Sequence, residues 1–355
     1  MSENLAHAWR QQIAYCDANA SPFTARVLEA AWADRKAGGA LAELLPDWPG
    51  DAWADAVPLR VAGALHSLAL DTSDAALAAL YPPQSERFDA QAAPAAIAAA
   101  LRRHRARVED YLRSPPQTNE IGRSAVLLGG FAVIARATGL ALAGFEIGAS
   151  AGLNSLWHRY RYELGDGLRW GDATSPVSIR SDWQGPAPAL PAQIEVALRM
   201  ASDIAPLDLA QPGAALRLAS YVWPEDRERL DRLQAAVALA QRWHVEVEAA
   251  DALAWVERQL AAPRPGIASV LFHSVTWQYL PAPTRVALRE CIAAAGARAS
   301  RDAPLAWLAF EPDHQGLFEL ALTLWPGGQR SVLATAQAHG RWVQWTQARL
   351  TAPGP

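Results

Sequence analysis

One stretch, Leu140 to Gly152, restricts what this chain can fold into more than any other. Leu140 to Ile147 is a short apolar run of strand length, and Glu146-Ile147-Gly148-Ala149-Ser150-Ala151-Gly152 carries its end into a loop ahead of Leu153, Asn154, Ser155, Leu156 and Trp157. An acidic residue at the carboxyl end of a strand, followed by small residues, lets a ligand approach the backbone closely, and open parallel α/β sheets bind ligands at that edge. After Gly139, short apolar runs alternate with helical stretches, which is how a mostly parallel sheet is written.

The later runs extend the pattern. Ile194 to Met200 predicts a second strand closing at Ser202 and Asp203, Val245 to Val247 a third ahead of Asp251, Ile267 to Phe272 a fourth and Leu305 to Phe310 a fifth. Leu230, Leu233 and Val237 mark a helix, as does Pro283 to Ala295. Tyr160 to Leu164, the Gly165-Asp166-Gly167 turn and the Pro- and Gly-rich stretch to Pro191 predict an inserted hairpin or loop at about 158–191. Phe318, Leu320, Leu322 and Leu324 then alternate with Glu319, Ala321 and Thr323, and Pro326-Gly327-Gly328 turns the chain back, so antiparallel strands close the sheet.

Ahead of this region the sequence is helical. Val57, Val61, Ala64, Leu65 and Leu68 share one helix face with Pro58 in the first turn, and Asp71 to Asp74 interrupts. A single helix carrying Ile97, Leu101, Val108 and Leu112 stops at Ser114-Pro115-Pro116, and another repeats Ile121, Ala125, Leu128, Ala132 and Ala135 up to Gly139. The expected organisation is a helical cap region over 1–116 and a Rossmann-like α/β domain over 117–355.

With 51% hydrophobic and 19% charged residues among 355, the chain can bury a sizeable core. A net charge of -4 supplies no positive field for a nucleic-acid backbone or an anionic membrane, so the expected partner is a small-molecule substrate. The basic run Arg102, Arg103, His104, Arg105 and Arg107 points around most of one helix and reads as a solvated face. No signal peptide or twenty-residue apolar span stands out, which predicts a cytoplasmic protein. Cys16 and Cys291 lie in unrelated segments and the histidines show no ligand spacing, so no metal site is expected.

The small-residue loop is a poor match to GxGxxG, which holds a pyrophosphate. It is similar to the first motif of Rossmann-type methyltransferases, acidic-x-Gly-x-(Gly or Ser)-x-Gly, where Glu146, Gly148, Ser150 and Gly152 would cradle S-adenosylmethionine. Asp203 at the second strand end can accept two hydrogen bonds from a ribose diol, and Asp251-Ala252 at the third can meet the adenine amino group. At the fourth, His273-Ser274-Val275-Thr276-Trp277-Gln278-Tyr279 offers a base in His273, assisted by Gln278 and Tyr279, and in Trp277 an aromatic surface for a sulfonium cation. Asn119, Glu120 and Arg123 enter the helix before the first strand and are expected to contact cofactor or substrate, with the acceptor entering beneath the helical N-terminal region.

Two other readings compete. Gly148-Ala149-Ser150-Ala151-Gly152 also spells the GxSxG elbow of serine hydrolases, with Asp251 or Asp313 and His314 or His339 downstream, although an elbow normally follows several strands of its sheet. A non-catalytic protein that keeps the Rossmann pocket as a cofactor sensor would carry the same strand ends.

Several strings are specific together: QTNEIGR at 117–123, EIGASAGLN at 146–154, WHRYRY at 157–162, SYVWPEDRERLDRL at 220–233, HSVTWQYLP at 273–281, LTLWPGG at 322–328 and HGRWVQW at 339–345. They resemble the bacterial family catalogued as domain of unknown function 2332. The resemblance implies a bacterial intracellular protein and assigns no catalytic residue.

Overall fold

The computed structural model describes residues 3–18, 21–85, 88–313 and 316–346. The chain divides into two compact units, one formed by 1–118 with 211–234 and the other by 119–210 with 235–355.

The first unit is helical, built on Glu3–Ala18, Pro22–Lys36, Val57–Leu70, Ala93–Arg103 and Arg105–Arg113, with shorter helices between them. The expected helix through Ile97 and Leu112 is two helices broken at His104, whose ring Nε2 lies 3.2 Å from the Asp74 carboxylate that also accepts from Arg103. The neighbouring arginines are likewise paired, Arg105 with Glu109 and Arg107 with Asp71. Segment 211–234 belongs here because its polar groups bond to this unit. Arg217 donates to Asp110 and Ser114 while lying over the Tyr111 ring, the Ser220 carbonyl accepts from His66, and Glu225 accepts from Ser21 and from the Phe23 backbone.

Among the described residues the second unit carries twelve strands: β1 Ala141–Ile147, β2 Arg161–Glu163, β3 Arg169–Gly171, β4 Ser178–Arg180, β5 Asp182–Gln184, β6 Val196–Asp203, β7 Glu248–Ala249, β8 Ile267–Ser274, β9 Leu305–Pro312, β10 Phe318–Trp325, β11 Gln329–Ala336 and β12 Trp342–Trp345. Nine form one sheet in the order β5-β12-β11-β10-β9-β8-β1-β6-β7, and β3-β2-β4 form a small second sheet. From β7 to β9 every pairing is parallel, and β9, β10, β11 and β12 follow as an antiparallel meander. The predicted mixed α/β sheet with antiparallel C-terminal strands is therefore what forms. The inserted segment does more than loop out: after its β2–β3 hairpin it sends β5 to the sheet edge, parallel to β12.

Counting the five parallel strands from β7 to β9 in chain order, the sheet reads 3-2-1-4-5, the doubly wound order that reverses direction between β1 and β8, the point beyond whose carboxyl ends such sheets bind ligands. Residues alternate between the faces of the sheet. Phe145, Ile147, Leu271 and Leu305 pack on one face with Trp255, Val256, Leu288 and Ile292. On the other face lies helix Arg123–Thr138, which ends at Gly139 in left-handed backbone as expected. Its Phe131 stacks on Trp157 at 4.1 Å and meets Phe272 edge-on at 5.2 Å, while Gly130 leaves no room for a Cβ against Leu308. Phe131→Ala removes a ring 1% exposed. It should lower stability by ~3–5 kcal/mol, read as a reduced midpoint in urea denaturation followed by tryptophan fluorescence.

Candidate functional site

The loop leaving β1 is held by backbone hydrogen bonds to side chains. Ser150, itself in left-handed backbone at φ 54°, donates its N–H to Asp203 Oδ2 at 2.8 Å, and Asp203 Oδ1 accepts from Ala205 N at 2.9 Å. Leu153 N donates to Asn119 Oδ1 at 2.9 Å, Asn154 Nδ2 to the Glu120 carbonyl at 3.2 Å, and Ser124 Oγ to Asn154 Oδ1 at 2.7 Å. Glu120 Oε1 accepts from Gly122 N, and Arg123 donates to the carbonyls of Ala338 and Ser274. Asn119, Glu120 and Arg123, expected to contact cofactor or substrate, thus meet the loop and its surroundings.

The two loop glycines also answer to protein neighbours. A Cβ on Gly148 would fall 2.2 Å from Thr276 Cγ2, and one on Gly152 would fall 2.7 Å from Val245 and 2.9 Å from Val247. Thr276, just beyond β8, therefore bridges the switch point directly over Gly148.

Glu146 is 2% exposed, and its Oε2 has no hydrogen-bond partner. Burial first, and the nearby Asp203 second, push its carboxyl up to about 8, while Arg123 pulls the other way. Ser150 Oγ is buried and unpartnered as well. Two polar side chains without partners, close together in sequence at one strand end, are where a polar ligand or water would be satisfied.

His273 lies on the opposite face. Phe272, its neighbour in β8, faces helix Arg123–Thr138, and Gly144, two residues before Glu146, lies against Phe272. Alternation therefore puts Glu146 on the Phe272 side and His273 on the other, so the sheet itself separates them. His273 is 1% exposed and both ring nitrogens are engaged. An indole N–H only donates, so the 3.0 Å contact from Trp307 Nε1 makes His273 Nε2 the acceptor, and Nδ1–H donates to Glu311 Oε1 at 2.6 Å. In this arrangement the ring has no free lone pair with which to take a proton. Glu311 Oε1 accepts also from Thr276 N and Trp277 N, which fixes the turn after β8, where Val275 adopts φ 56°. A β-branched residue held at such a φ is a strained position.

The remaining expected residues fall nearby or outward. Trp277 stacks on His273 at 5.2 Å and carries the Arg289 guanidinium 5.2 Å from its ring centre, so both partners are protein groups. Gln278 is exposed and Tyr279 is 77% exposed. Asp251 Oδ1 caps helix Ala252–Gln259 by accepting from Leu253 N and Ala254 N, and Ala252 opens that helix. Ala250 N donates to the Asp203 carbonyl, which sets Asp251 at the strand end next to Asp203. For the hydrolase reading, the left-handed Ser150 suits an elbow, yet its Oγ has no partner histidine among the described residues; His314 lies outside them. The described residues contain no group of His, Cys, Asp or Glu able to hold a metal, and none of their helices is long and apolar enough to cross a membrane.

Sequence reasoning did not single out Glu311, Trp307 or Thr276. Glu311 closes the fifth strand, so the strand-end rule applied to Asp203 and Asp251 reaches it too.

The fold and this edge define a doubly wound α/β protein with its polar residues gathered where the strand order reverses. The sequence matches the family described as uncharacterized protein conserved in bacteria (DUF2332) over residues 6–345, and the chain belongs to that family. No curated protein and no solved structure matches it.

The Glu146 carboxyl gives a pH signature. The folded chain keeps a proton there that the unfolded chain releases above the usual value of 4.5, so the stability tied to this group is complete below that pH and is lost as pH rises through about 8. Glu146→Gln should remove the dependence, with the variant gaining melting temperature relative to the native chain from pH 5 to pH 9; parallel melting curves across that range would contradict it.

Proposed function

We propose that this chain binds S-adenosylmethionine at the carboxyl edge of its sheet and transfers the methyl group to a small-molecule acceptor. The observation that carries the reading is the strand order 3-2-1-4-5 with the loop Glu146-x-Gly148-x-Ser150-x-Gly152 at its reversal point. Asp203 uses one lone pair of Oδ2 on Ser150 N of the loop and one of Oδ1 on Ala205 N of its own turn, and a ribose diol would take the others. Asp251 caps a helix with Oδ1 and would meet the adenine amino group with Oδ2. Thr276 must shift from Gly148 for the ligand to lie across the loop. His273 then serves to hold the turn that carries Trp277, Gln278 and Tyr279, and in-line transfer depends on positioning of donor and acceptor. The net charge of -4 and the paired arginines of the first unit favour a small acceptor over nucleic acid.

One observation favours a second reading, a non-catalytic sensor that binds the same cofactor: both nitrogens of His273, the expected base, are occupied.

Calorimetric titration with S-adenosylhomocysteine and, separately, NAD tests the cofactor. S-adenosylhomocysteine should bind and NAD should not, and Asp203→Ala should weaken binding about tenfold or more through loss of charge-assisted hydrogen bonds. Absence of S-adenosylhomocysteine binding ends the reading. Methyl-labelled S-adenosylmethionine incubated with a bacterial small-molecule extract then separates enzyme from sensor, and labelling of Ser150 by a fluorophosphonate would replace both with a hydrolase.

A further inference from the structure

We propose that Arg159 and Arg199, gathered on Trp243, form a binding site for the phosphate of a small phosphomonoester. Arg199 sits in β6 opposite Gly144 of β1, ahead of the strand ends, so the inference goes beyond the adenosyl reading and does not depend on it.

The two guanidiniums are brought together by one residue. Arg159 closes the short helix Leu153–Arg159, and its guanidinium carbon lies 4.0 Å from the centre of the Trp243 ring. Arg199 Nη2 donates to the Trp243 carbonyl at 2.8 Å. Trp243 follows helix Arg227–Arg242, so three segments remote in sequence meet at this point. β6 can carry an arginine there because its partner in β1 is a glycine. A Cβ on Gly144 would meet only Phe272 at 3.4 Å and the Leu198 carbonyl at 4.0 Å, so β1 puts no side chain beside Arg199.

Both groups keep donors to offer. A guanidinium stacked on an indole holds its N–H bonds in its own plane, clear of the ring, and Arg199 spends one N–H on the carbonyl and keeps the rest. Among the described residues no carboxylate forms an ion pair with either. Burial, and then the charge of Arg159, hold the Arg199 guanidinium below its usual value, and no acid offsets them. For Asp172, just after β3, the Arg159 charge is the weakest of several influences, and its Oδ1 already accepts from Thr174 N and Thr174 Oγ1.

His158 precedes Arg159, and its Nδ1 is buried without a partner. Burial first, then Arg159 and Arg199, push this ring down to about 4, so at pH 7 it is neutral and adds no third charge. Two like charges held together without a counter-ion repel, and an anion bound between them turns that repulsion into attraction. Charge also selects the ligand. A phosphomonoester carries about −1.5 to −2 at pH 7 and presents three acceptor oxygens, which matches two guanidinium forks better than a singly charged carboxylate does.

The test is calorimetric titration of the full chain, at pH 7 and fixed ionic strength, with glycerol 3-phosphate, inorganic phosphate and acetate. Glycerol 3-phosphate should bind once per chain and at least as tightly as inorganic phosphate, with acetate weaker by about tenfold or more. Arg159→Gln and Arg199→Gln should each weaken glycerol 3-phosphate about tenfold or more through loss of charge-assisted hydrogen bonds. Arg159 is exposed, so its variant should keep the native melting curve and carries the test if Arg199→Gln fails to fold. Arg102→Gln removes the same charge from an exposed position on helix Ala93–Arg103 and should leave binding unchanged. No binding of glycerol 3-phosphate, equal binding of acetate, or binding that survives Arg159→Gln overturns the inference. So does a loss in Arg102→Gln as large as that in Arg159→Gln. Titration with S-adenosylhomocysteine is read separately, so either proposal can fail without the other.

Discussion

The whole edge of this sheet is shaped by the burial of β1. From Leu142 to Ile147 every residue is buried, with parallel neighbours on both sides and packed side chains on both faces. A chain emerging from such a strand cannot leave its N–H groups to water, because an unpaired buried donor costs ~1–3 kcal/mol. The protein meets that demand residue by residue: the Ser202 carbonyl takes Ala149, Asp203 takes Ser150 and Asn119 takes Leu153. Glu146 is the one ionisable side chain in that buried run, and its neutral state follows from the same confinement.

The strings that carry the family resemblance turn out to be largely one another's neighbours. QTNEIGR supplies Asn119 and the Glu120 carbonyl to EIGASAGLN, while Gly122 and Gly340 approach so closely that a Cβ on either would meet the other segment's backbone at 2.2–2.3 Å. The tryptophan of HSVTWQYLP packs on its own histidine, with Glu311 accepting from both. Specific wording in a sequence can thus record packing as readily as chemistry, and His273 illustrates the difference: its place at a strand end suggested a base, while its partners make it a brace.

Much of the fold was legible because long apolar runs and strand-end acids follow from simple periodicity. β1, β8, β9 and the β10–β11 hairpin stand where the pattern put them, and the parallel pairing of β1 with β6 brings Glu146 and Asp203 to adjacent strand ends. What escaped is governed by partners remote in sequence. β7 is two residues at Glu248–Ala249, beyond the Val245 to Val247 run that suggested it, and β5 is three residues long, too short to show a period. Segment 211–234 looks like any amphipathic stretch until Arg217 and Glu225 find Asp110 and Ser21. Glu311 stands where the strand-end rule reaches it, but its three donors, His273 Nδ1, Thr276 N and Trp277 N, belong to another strand and the turn after it, which the run around Glu311 does not show.

The edge pair β5 and β12 has a consequence for how the molecule is made. Among the described strands Asp182–Gln184 pairs with Trp342–Trp345 alone, Asp182 N also donating to the Arg341 carbonyl, with Trp183 resting against Trp345. During synthesis the inserted segment leaves the ribosome long before its sheet partner is translated. Its outermost strand must therefore wait, while the parallel core between β7 and β9 can already be assembled, and the last strand described becomes the one that docks the insertion onto the sheet.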